Sequence, residues 1–558
     1  MSGHLYKGIS KISCQSLRLT FQQPATYFLR HASSSAVNKQ IAEAPVQEAV
    51  AYKPFSEIPG PMRIPIFGSL FSMTLDRGES LSDMKFPIFS MTLDRDFKRD
   101  KLGDYWRKLN NKYGPIVRLD IPGTAPMIII YKADDCETLT RVSMNNPLRI
   151  GNMSMKKIRE ENVDNYFEEK FGLLISNYEE WKRVRSRVQT PMMKKKNISA
   201  YIKDMDEVAL DFMERIDSFQ KEYGEMPSHF QTELYKWGLE SVGLVALNRR
   251  MGCLDPNLPD SSEPMILIRE ANRMFDAMNK TEFGAPLWKF FPTPAYTQLK
   301  NSHAEFLRVA DENIRQTEAQ LLAKKSQPGG EEEEELTLME TLLLTPGLSR
   351  KDVVTLMLDM LFAGIDTTSH TIGFTLYLLA RHPKCQAKLQ EEIDRVVGNH
   401  MGPLTSRHLD QLTYLKAVVK ESFRVFPLAF GTIRNIEQDT VFSGYLVPKG
   451  SAVLTCNMVM AGDEDNFQRA KDFIPERWFR NRPHGPIHPH ASQPFGIGTR
   501  VCVGRRIAEQ ELYIFLARVM QRFNVDYKYN DMSSICRTIM VPSEPLRFNF
   551  TERRENAH

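Results

Sequence analysis

The segment Pro494–Gly504, PFGIGTRVCVG, carries the most chemistry for its length. Cys502 stands just before an apolar helical pattern, Arg505–Phe523. It therefore meets a helix N-terminus, whose free N–H groups and dipole favour a thiolate. Arg500 adds a positive charge nearby, and the flanking glycines let backbone or a flat ligand approach closely. Together these residues build a shielded, hydrogen-bonded sulfur ligand for iron. A structural cysteine, the reading for Cys136 or Cys253, needs neither the arginine nor the glycines.

A second constellation is Ala363–Thr368, AGIDTT, inside a long apolar helical pattern. Gly, Asp and Thr in mid-helix go against local propensity. A threonine hydroxyl there can bond the carbonyl one turn earlier and open the helix. Read blandly, Asp366 and Thr367 are satisfied polar groups at a kink. Read chemically, they are an acid and a hydroxyl side by side. A third is Lys420–Arg424, KESFR, in which Glu421 and Arg424 share a helix face. Alone, this pair fits any surface helix.

The elements that must position these residues are mostly helices. Helical patterns cover Glu179–Val188, Ile202–Tyr223, Thr232–Leu247, Pro264–Met278, Thr297–Lys325, Lys351–Ala380, Pro383–Val397 and Gln411–Phe426. Short strand signals lie at Ile116–Leu119, Met127–Tyr131, Thr440–Leu446 and Ala452–Thr455. Long helices with few short strands exclude a doubly wound sheet and predict a mainly α fold with small β-sheets (α+β). The 558 residues would suit three or four average domains, but no long Ser/Gly linker divides them, so one large domain is expected. PFSEIPGPMRIPIFGSL, with Pro54, Pro59, Pro61 and Pro65, reads as a stiff lead-in. FSMTLDR occurs at Phe71–Arg77 and again at Phe89–Arg95, a duplicated loop or an error in the gene model. The run QPGGEEEEE, Gln327–Glu335, reads as a solvated spacer.

Composition sets the outer limits. Hydrophobic residues make up 42% and charged residues 25%, globular values that exclude disordered and disulfide-scaffold classes. No uninterrupted apolar stretch reaches the roughly 18 residues of a membrane span. Seven cysteines, an odd number without a CxxC, suit a reducing compartment. The net charge is +4, yet residues 1–42 contain Lys7, Lys11, Arg18, Arg30 and Lys39 and no acid. The remainder is close to neutral, which argues against a nucleic-acid partner. A basic, hydroxyl-rich, acid-free leader with Leu5, Ile9 and Ile12 on one helical face has the profile of a mitochondrial presequence. The expected division is a presequence over 1–35, cleaved near Arg30–Ser35, a linker over 36–53 and the functional domain over 54–558.

FxxGxRxCxG resembles the haem-binding loop of the cytochromes P450, and the match runs from about Phe55 to Phe550. The resemblance implies haem b buried between the long Asp366-bearing helix and the cysteine loop. It makes Cys502 the proximal iron ligand, whose electron donation favours O–O cleavage. It places Phe495 by the sulfur, and includes Gly504 in the haem loop. Arg500, with Trp181 and Arg185 of a WxxxR pattern and Arg434, would meet the propionates. Glu421, Arg424 and Arg477 of FIPER resemble the family's buried structural triad. Asp366 and Thr367 resemble its proton-relay pair.

The leader and the pair Lys416 and Lys420 resemble the animal mitochondrial class, in which such lysines dock an acidic [2Fe–2S] ferredoxin served by an NADPH-dependent reductase. Arg505 and Arg506 look like this class too. Thr232–Leu254 looks like the arthropod branch associated with foreign-compound metabolism. The implied activity is a monooxygenase on the matrix side of the inner mitochondrial membrane, in peripheral contact with it. It would insert one oxygen atom of O₂ into a lipophilic substrate, a xenobiotic or, alternatively, an ecdysteroid. A peroxide isomerase of the same fold would not need the Asp366–Thr367 pair. A non-enzymatic haem sensor would not consume NADPH. By resemblance the pocket draws on Asn145–Ile175, Met265–Phe291, Leu361–Thr367, Leu428–Thr432 and Cys536–Pro542. Met274, Met278, Phe290 and Phe291 are read either as pocket lining or as helix packing.

Overall fold

Helix Arg350–Arg381 begins and ends where local chemistry requires. At its start Ser349 Oγ accepts from the Asp352 N–H, and the Asp352 carboxylate accepts from the Ser349 N–H, a reciprocal capping box. At its end His382 precedes Pro383, and the residue before a proline is pushed out of helical geometry. Most of its residues are buried, so it runs through the core rather than over it. The computed structural model describes residues 52–61, 101–120, 126–149, 151–162, 166–283, 286–325, 336–400 and 402–553. The presequence and its cleavage point, the FSMTLDR repeat and the acidic run lie outside the described residues.

Helix Phe230–Leu247, also buried on nearly every face, crosses the long helix at small residues. A Cβ on Gly238 would stand 2.7 Å from Ser369 Oγ and 2.9 Å from the Ile365 carbonyl oxygen. A Cβ on Gly364 would stand 2.7 Å from Val242. The mid-helix glycine of AGIDTT thus serves the helix crossing. Ser369 Oγ seals the contact by donating to the Leu234 carbonyl, 2.8 Å away.

Two further ties fix helices that flank the site. Arg183 on helix Tyr178–Met193 binds Asp352 through both carboxylate oxygens, at 2.6 and 3.0 Å. Arg518 on helix Arg505–Arg522 grips Asp206 on helix Ile202–Tyr223 at 2.7 and 2.6 Å, both side chains 1% exposed. Bidentate geometry offsets the desolvation that a buried ion pair incurs.

The sheets are small. Strands β1 (Ile116–Leu119), β2 (Met127–Ile130), β3 (Thr432–Asn435) and β6 (Ala452–Thr455) form one sheet in the order β1-β2-β6-β3. Only the β2–β6 pairing is parallel. Strands β4 (Thr440–Phe442) and β5 (Tyr445–Val447) form a hairpin, as do β8 (Ser534–Arg537) and β9 (Ile539–Pro542). β7 (Phe523–Asp526) pairs with β10 (Asn549–Glu552). The architecture is mainly α with small sheets, as expected.

Two expected elements divide. The strand signal Thr440–Leu446 folds into the β4–β5 hairpin. Of the expected helix Gln411–Phe426, Gln411 ends a separate helix, Ser406–Gln411, and the rest forms Thr413–Val425. The cause is remote in sequence: the Glu392 carboxylate accepts from the backbone N–H groups of Tyr414 (2.7 Å) and Leu415 (2.9 Å), capping the second helix from outside.

That second helix carries Glu421, which is fully buried. Its carboxylate accepts from Arg424 Nε (2.9 Å) and Nη2 (2.8 Å), Arg477 Nε (2.9 Å), the Ile474 N–H (2.9 Å) and Trp478 Nε1 (2.8 Å). The remaining guanidinium N–H groups donate to the carbonyls of Ala461, Gln468, Arg469, Ala470 and Asp472. Replacing Arg477 by Ala leaves a buried carboxylate short of positive charge, which should cost about 3–5 kcal/mol. Urea denaturation of the holoprotein checks this; a loss below about 1 kcal/mol, the size of an ordinary surface pair, would remove the triad from its structural role.

Candidate active site

The cysteine loop turns on two left-handed residues, Gly496 (φ 72°) and Gly498 (φ 73°), where a side chain would be strained. The turn brings the Cys502 N–H to the Phe495 carbonyl at 2.9 Å. The Phe495 ring sits edge-on to Phe423, with centroids 5.1 Å apart. Gly504 caps helix Arg505–Arg522, and its N–H bonds the Cys502 sulfur.

The Cys502 side chain remains accessible, yet protein encloses it closely enough that burial pushes the thiol up. The Gly504 N–H and the charges of Arg185, Arg149 and Arg505 oppose that push without cancelling it. Iron bound to the sulfur would favour the ionised form that the helix terminus and the arginines also favour.

Four arginines converge beside this sulfur. Arg500 lies over the Trp181 ring at 4.5 Å, and its Nη2 donates to the Ser176 carbonyl and to Asn177 Oδ1, each 2.6 Å away. Arg185 donates from Nε to Gln189 at 3.1 Å. Arg434, on β3, donates from Nη1 to the Ile433 carbonyl at 2.9 Å. Burial depresses all of them, Arg434 to about 10 and Arg500 to about 9, and their mutual repulsion adds to the effect on those two. The fourth is Arg149, depressed by burial and electrostatically coupled to Cys502, Arg434 and Arg500. Its backbone exchanges hydrogen bonds with Asn177, which also holds Arg500.

Arg149 was not singled out from sequence: no repeat, helix face or fixed spacing marks it in NNPLRI. Arg185 Nη2 and Arg500 Nε and Nη1 are buried without a partner. Buried guanidinium N–H groups without acceptors are costly, and paired carboxylates would satisfy them. The donor set, one sulfur with several unpaired guanidinium N–H groups, fits an iron porphyrin and its two propionates.

Asp366 lies on the long helix, 2% exposed, its Oδ1 without a partner. Burial raises its pKa to about 8; the charge of Asp276 adds to this and that of Arg537 opposes it. Thr367 Oγ1 donates to the Ala363 carbonyl at 2.9 Å, the one-turn back-bond expected. Thr368, Ser369, Thr371 and Thr375 make the same bond along the helix. One turn beyond Asp366, His370 Nε2 meets the Tyr235 hydroxyl at 3.1 Å. The sequence offered a signal for His370, its four-residue spacing from Asp366, but none for Tyr235.

The apolar positions separate. Met274 and Met278 are core residues, and Phe275 stacks on Phe362 of the long helix with centroids 4.5 Å apart. Phe290 is 82% exposed and Phe291 is exposed too, so neither lines a pocket. The turn Pro286–Lys289 buries Trp288 instead, whose Nε1 donates to the Thr281 carbonyl at 2.9 Å, and this sends the following residues outward. A cavity of about 470 Å³, lined by Arg315, Glu318, Leu343 and Arg350 among others, includes none of the site residues.

The basic pair is also divided. Lys420 is exposed beside Arg482, Arg505 and Glu509. Lys416 is half-buried, and its Nζ donates to the Asp410 carbonyl at 3.0 Å.

A family model described as cytochrome P450 matches residues 82–550. The chain is 33% identical over 506 residues to probable cytochrome P450 301a1, mitochondrial, of Drosophila melanogaster, covering 89% of this chain and 87% of that one. It is 30% identical over 543 residues to probable cytochrome P450 49a1 of the same fly, covering 96% and 88%. It is 34% identical over 458 residues to cytochrome P450 CYP12A2 of Musca domestica, covering 79% and 84%. With the sulfur loop, the converging arginines and the buried acid in view, the chain belongs to the cytochrome P450 family and is a haem b monooxygenase.

Proposed function

We propose that this monooxygenase works in the mitochondrion, takes electrons from NADPH through a ferredoxin reductase and a [2Fe–2S] ferredoxin, and oxidises lipophilic foreign compounds. The observation that carries the reading is the set of buried guanidinium N–H groups of Arg185 and Arg500, without a partner among the described residues, near the accessible Cys502 thiol. In this reading Cys502 ligates the iron, and Arg149, Arg185, Arg434 and Arg500 receive the propionates. Bound there, haem supplies the activation of O₂ by two electrons and two protons. Glu421, Arg424 and Arg477 hold the fold, and the domain begins near Pro54.

Asp366 is the proton-holding group. Its raised pKa keeps Oδ1 or Oδ2 protonated at neutral pH, so it can release a proton inward and regain one from the side of Asp276 and Arg537. Thr367 orients that exchange from the next position. Phe275 and Phe362 make this side apolar, which suits lipophilic substrates. Mitochondrial residence is supported by the name of the relative 301a1 and by the acid-free leader. No helix among the described residues is long and apolar enough to cross a membrane. Phe290, Phe291 and Lys289 form an exposed apolar and basic turn that supports peripheral contact with the inner membrane, on its matrix side. A substrate screen that reads the haem absorbance shift, with reconstituted ferredoxin and reductase, tests the assignment to foreign compounds; a response confined to ecdysteroids would redirect it.

Three variants test the site. Cys502→Ala should abolish the thiolate-type absorbance of the reduced CO complex, and survival of that band would give the iron another ligand.

Asp366 has a raised folded pKa, so its proton is held below about pH 8 and lost above it. Turnover should fall on that alkaline limb. Asp366→Asn should lower turnover at neutral pH by about 10²-fold, with substrate affinity little changed, and should remove the limb. An unchanged pH profile in the variant would exclude Asp366 from proton transfer.

Lys420→Glu should cut ferredoxin-supported turnover roughly 10-fold at low salt, less at high salt, and spare peroxide-supported turnover. Lys420 is the cleaner probe because Lys416 also holds a backbone carbonyl. Equal loss in both assays would mean a damaged helix, and no loss would move the docking site elsewhere.

A further inference from the structure

Outside the haem site, one cluster has the chemistry of a cation site. His488 and His490 flank Pro489 in the segment leading into the cysteine loop, and Glu137 lies on helix Ala133–Val142. One ligand atom from each lies within 4.8 Å of the others. The His490 N–H approaches His488 Nδ1 at 3.2 Å; for Nε2 to ligate, the ring takes the Nδ1–H tautomer and gives up this bond. That Nε2 faces the carboxylates of Glu137 at 3.5 Å and Asp134 at 3.4 Å. His490 Nδ1 is buried without a partner. Arg141 engages Glu137 Oε1 at 2.9 Å but is largely exposed and can swing away.

The supports are rigid. Ala133, at the start of the helix, and Ala491, just after the histidines, pack in one buried apolar cluster with Phe467 and Ala470; Ile487 and Trp478 close its edge. The Ala491 N–H bonds the His488 carbonyl at 3.0 Å, and Gln493 Nε2 bonds the His490 carbonyl at 2.9 Å. Both ligand-bearing segments are therefore fixed by packing before any ion arrives. Asp135, the neighbouring acid, is engaged by Ser443 and takes no part.

A simple ion pair explains the cluster poorly. Contacts of 3.4 and 3.5 Å are longer than charge-assisted hydrogen bonds, which run about 2.7–2.9 Å. The two imidazoles stand together, with centroids 5.6 Å apart. Two imidazoles with a carboxylate suit zinc and its neighbours in the first transition row, not magnesium or calcium.

We propose that Glu137, His488 and His490 form a three-ligand site for a divalent transition cation of the zinc type, with water in the fourth position, that clamps helix Ala133–Val142 to the segment entering the cysteine loop. Asp134 supplies further negative charge, and small side-chain rotations draw the ligands to about 2.0–2.2 Å from the ion. The clamp reinforces contacts already made on its inner side. There Thr499 Oγ1 donates to the Met144 carbonyl at 3.0 Å, and a Cβ on Gly498 would lie 3.3 Å from Thr140 Cγ2.

The test is a chelator-competition titration of zinc into the untagged, haem-loaded full chain, in which the reduced-CO spectrum reports that each variant keeps its haem site. Saturable binding of one zinc per chain is expected, with magnesium giving none. His490→Ala should weaken binding at least ~10-fold, as should Glu137→Gln at the more exposed ligand, and His488→Ala with His490→Ala should abolish it. Zinc should also raise the unfolding temperature of the wild type and leave the double variant unmoved. Zinc binding retained in the double variant, or no saturable binding by the wild type in the micromolar range, would overturn the proposal.

Discussion

The Glu421 carboxylate is buried where water cannot reach it, so its charge must be met by protein alone. Two guanidiniums, an indole N–H and a backbone N–H meet it, and those donors come from its own helix and from residues 474–478. The arginines in turn occupy the carbonyls of residues 461–472, a stretch with little regular structure of its own. A length of chain without helix or strand must find its hydrogen bonds elsewhere, and here it finds them on two buried cations. This stretch precedes the segment that carries His488, His490 and the cysteine loop, so the ionic centre fixes where that segment begins.

The opposite wall is governed by burial rather than by pairing. The long helix reaches the site through a crossing at Gly238 and Gly364 that admits no side chain. Its interior then holds an acid, Asp366, whose Oδ1 has no hydrogen-bond partner among the described residues. Desolvation keeps that acid protonated near neutrality. The proximal side shows the reverse imbalance, with several buried cations close to the Cys502 sulfur. Haem bound there would offset that excess, since its propionates are anionic.

Local pattern alone sufficed for the central helices. The helical patterns at 202–223, 351–380 and 383–397 matched their elements closely, because periodicity is local. The cysteine loop, AGIDTT and KESFR were legible for a similar reason: their chemistry is packed into a few consecutive residues. Other elements left weak signals. β3, which carries Arg434, and the pair β7 and β10 are each only a few residues long and owe their existence to partners distant in the chain.

What the sequence by itself determined was the helical class, the sulfur loop and the acid–hydroxyl pair. What only the tertiary structure decided was which side chains stand together. Arg149 joined the site although nothing near it marks it, Lys416 turned aside to a carbonyl, and Phe290 and Phe291 faced outward. Asp206 and Arg518 formed a buried pair across more than half of the chain. The physical reason is common to all of them. Desolvation and pairing depend on distances through space, and a residue's neighbours in space are set by packing rather than by its place in the chain.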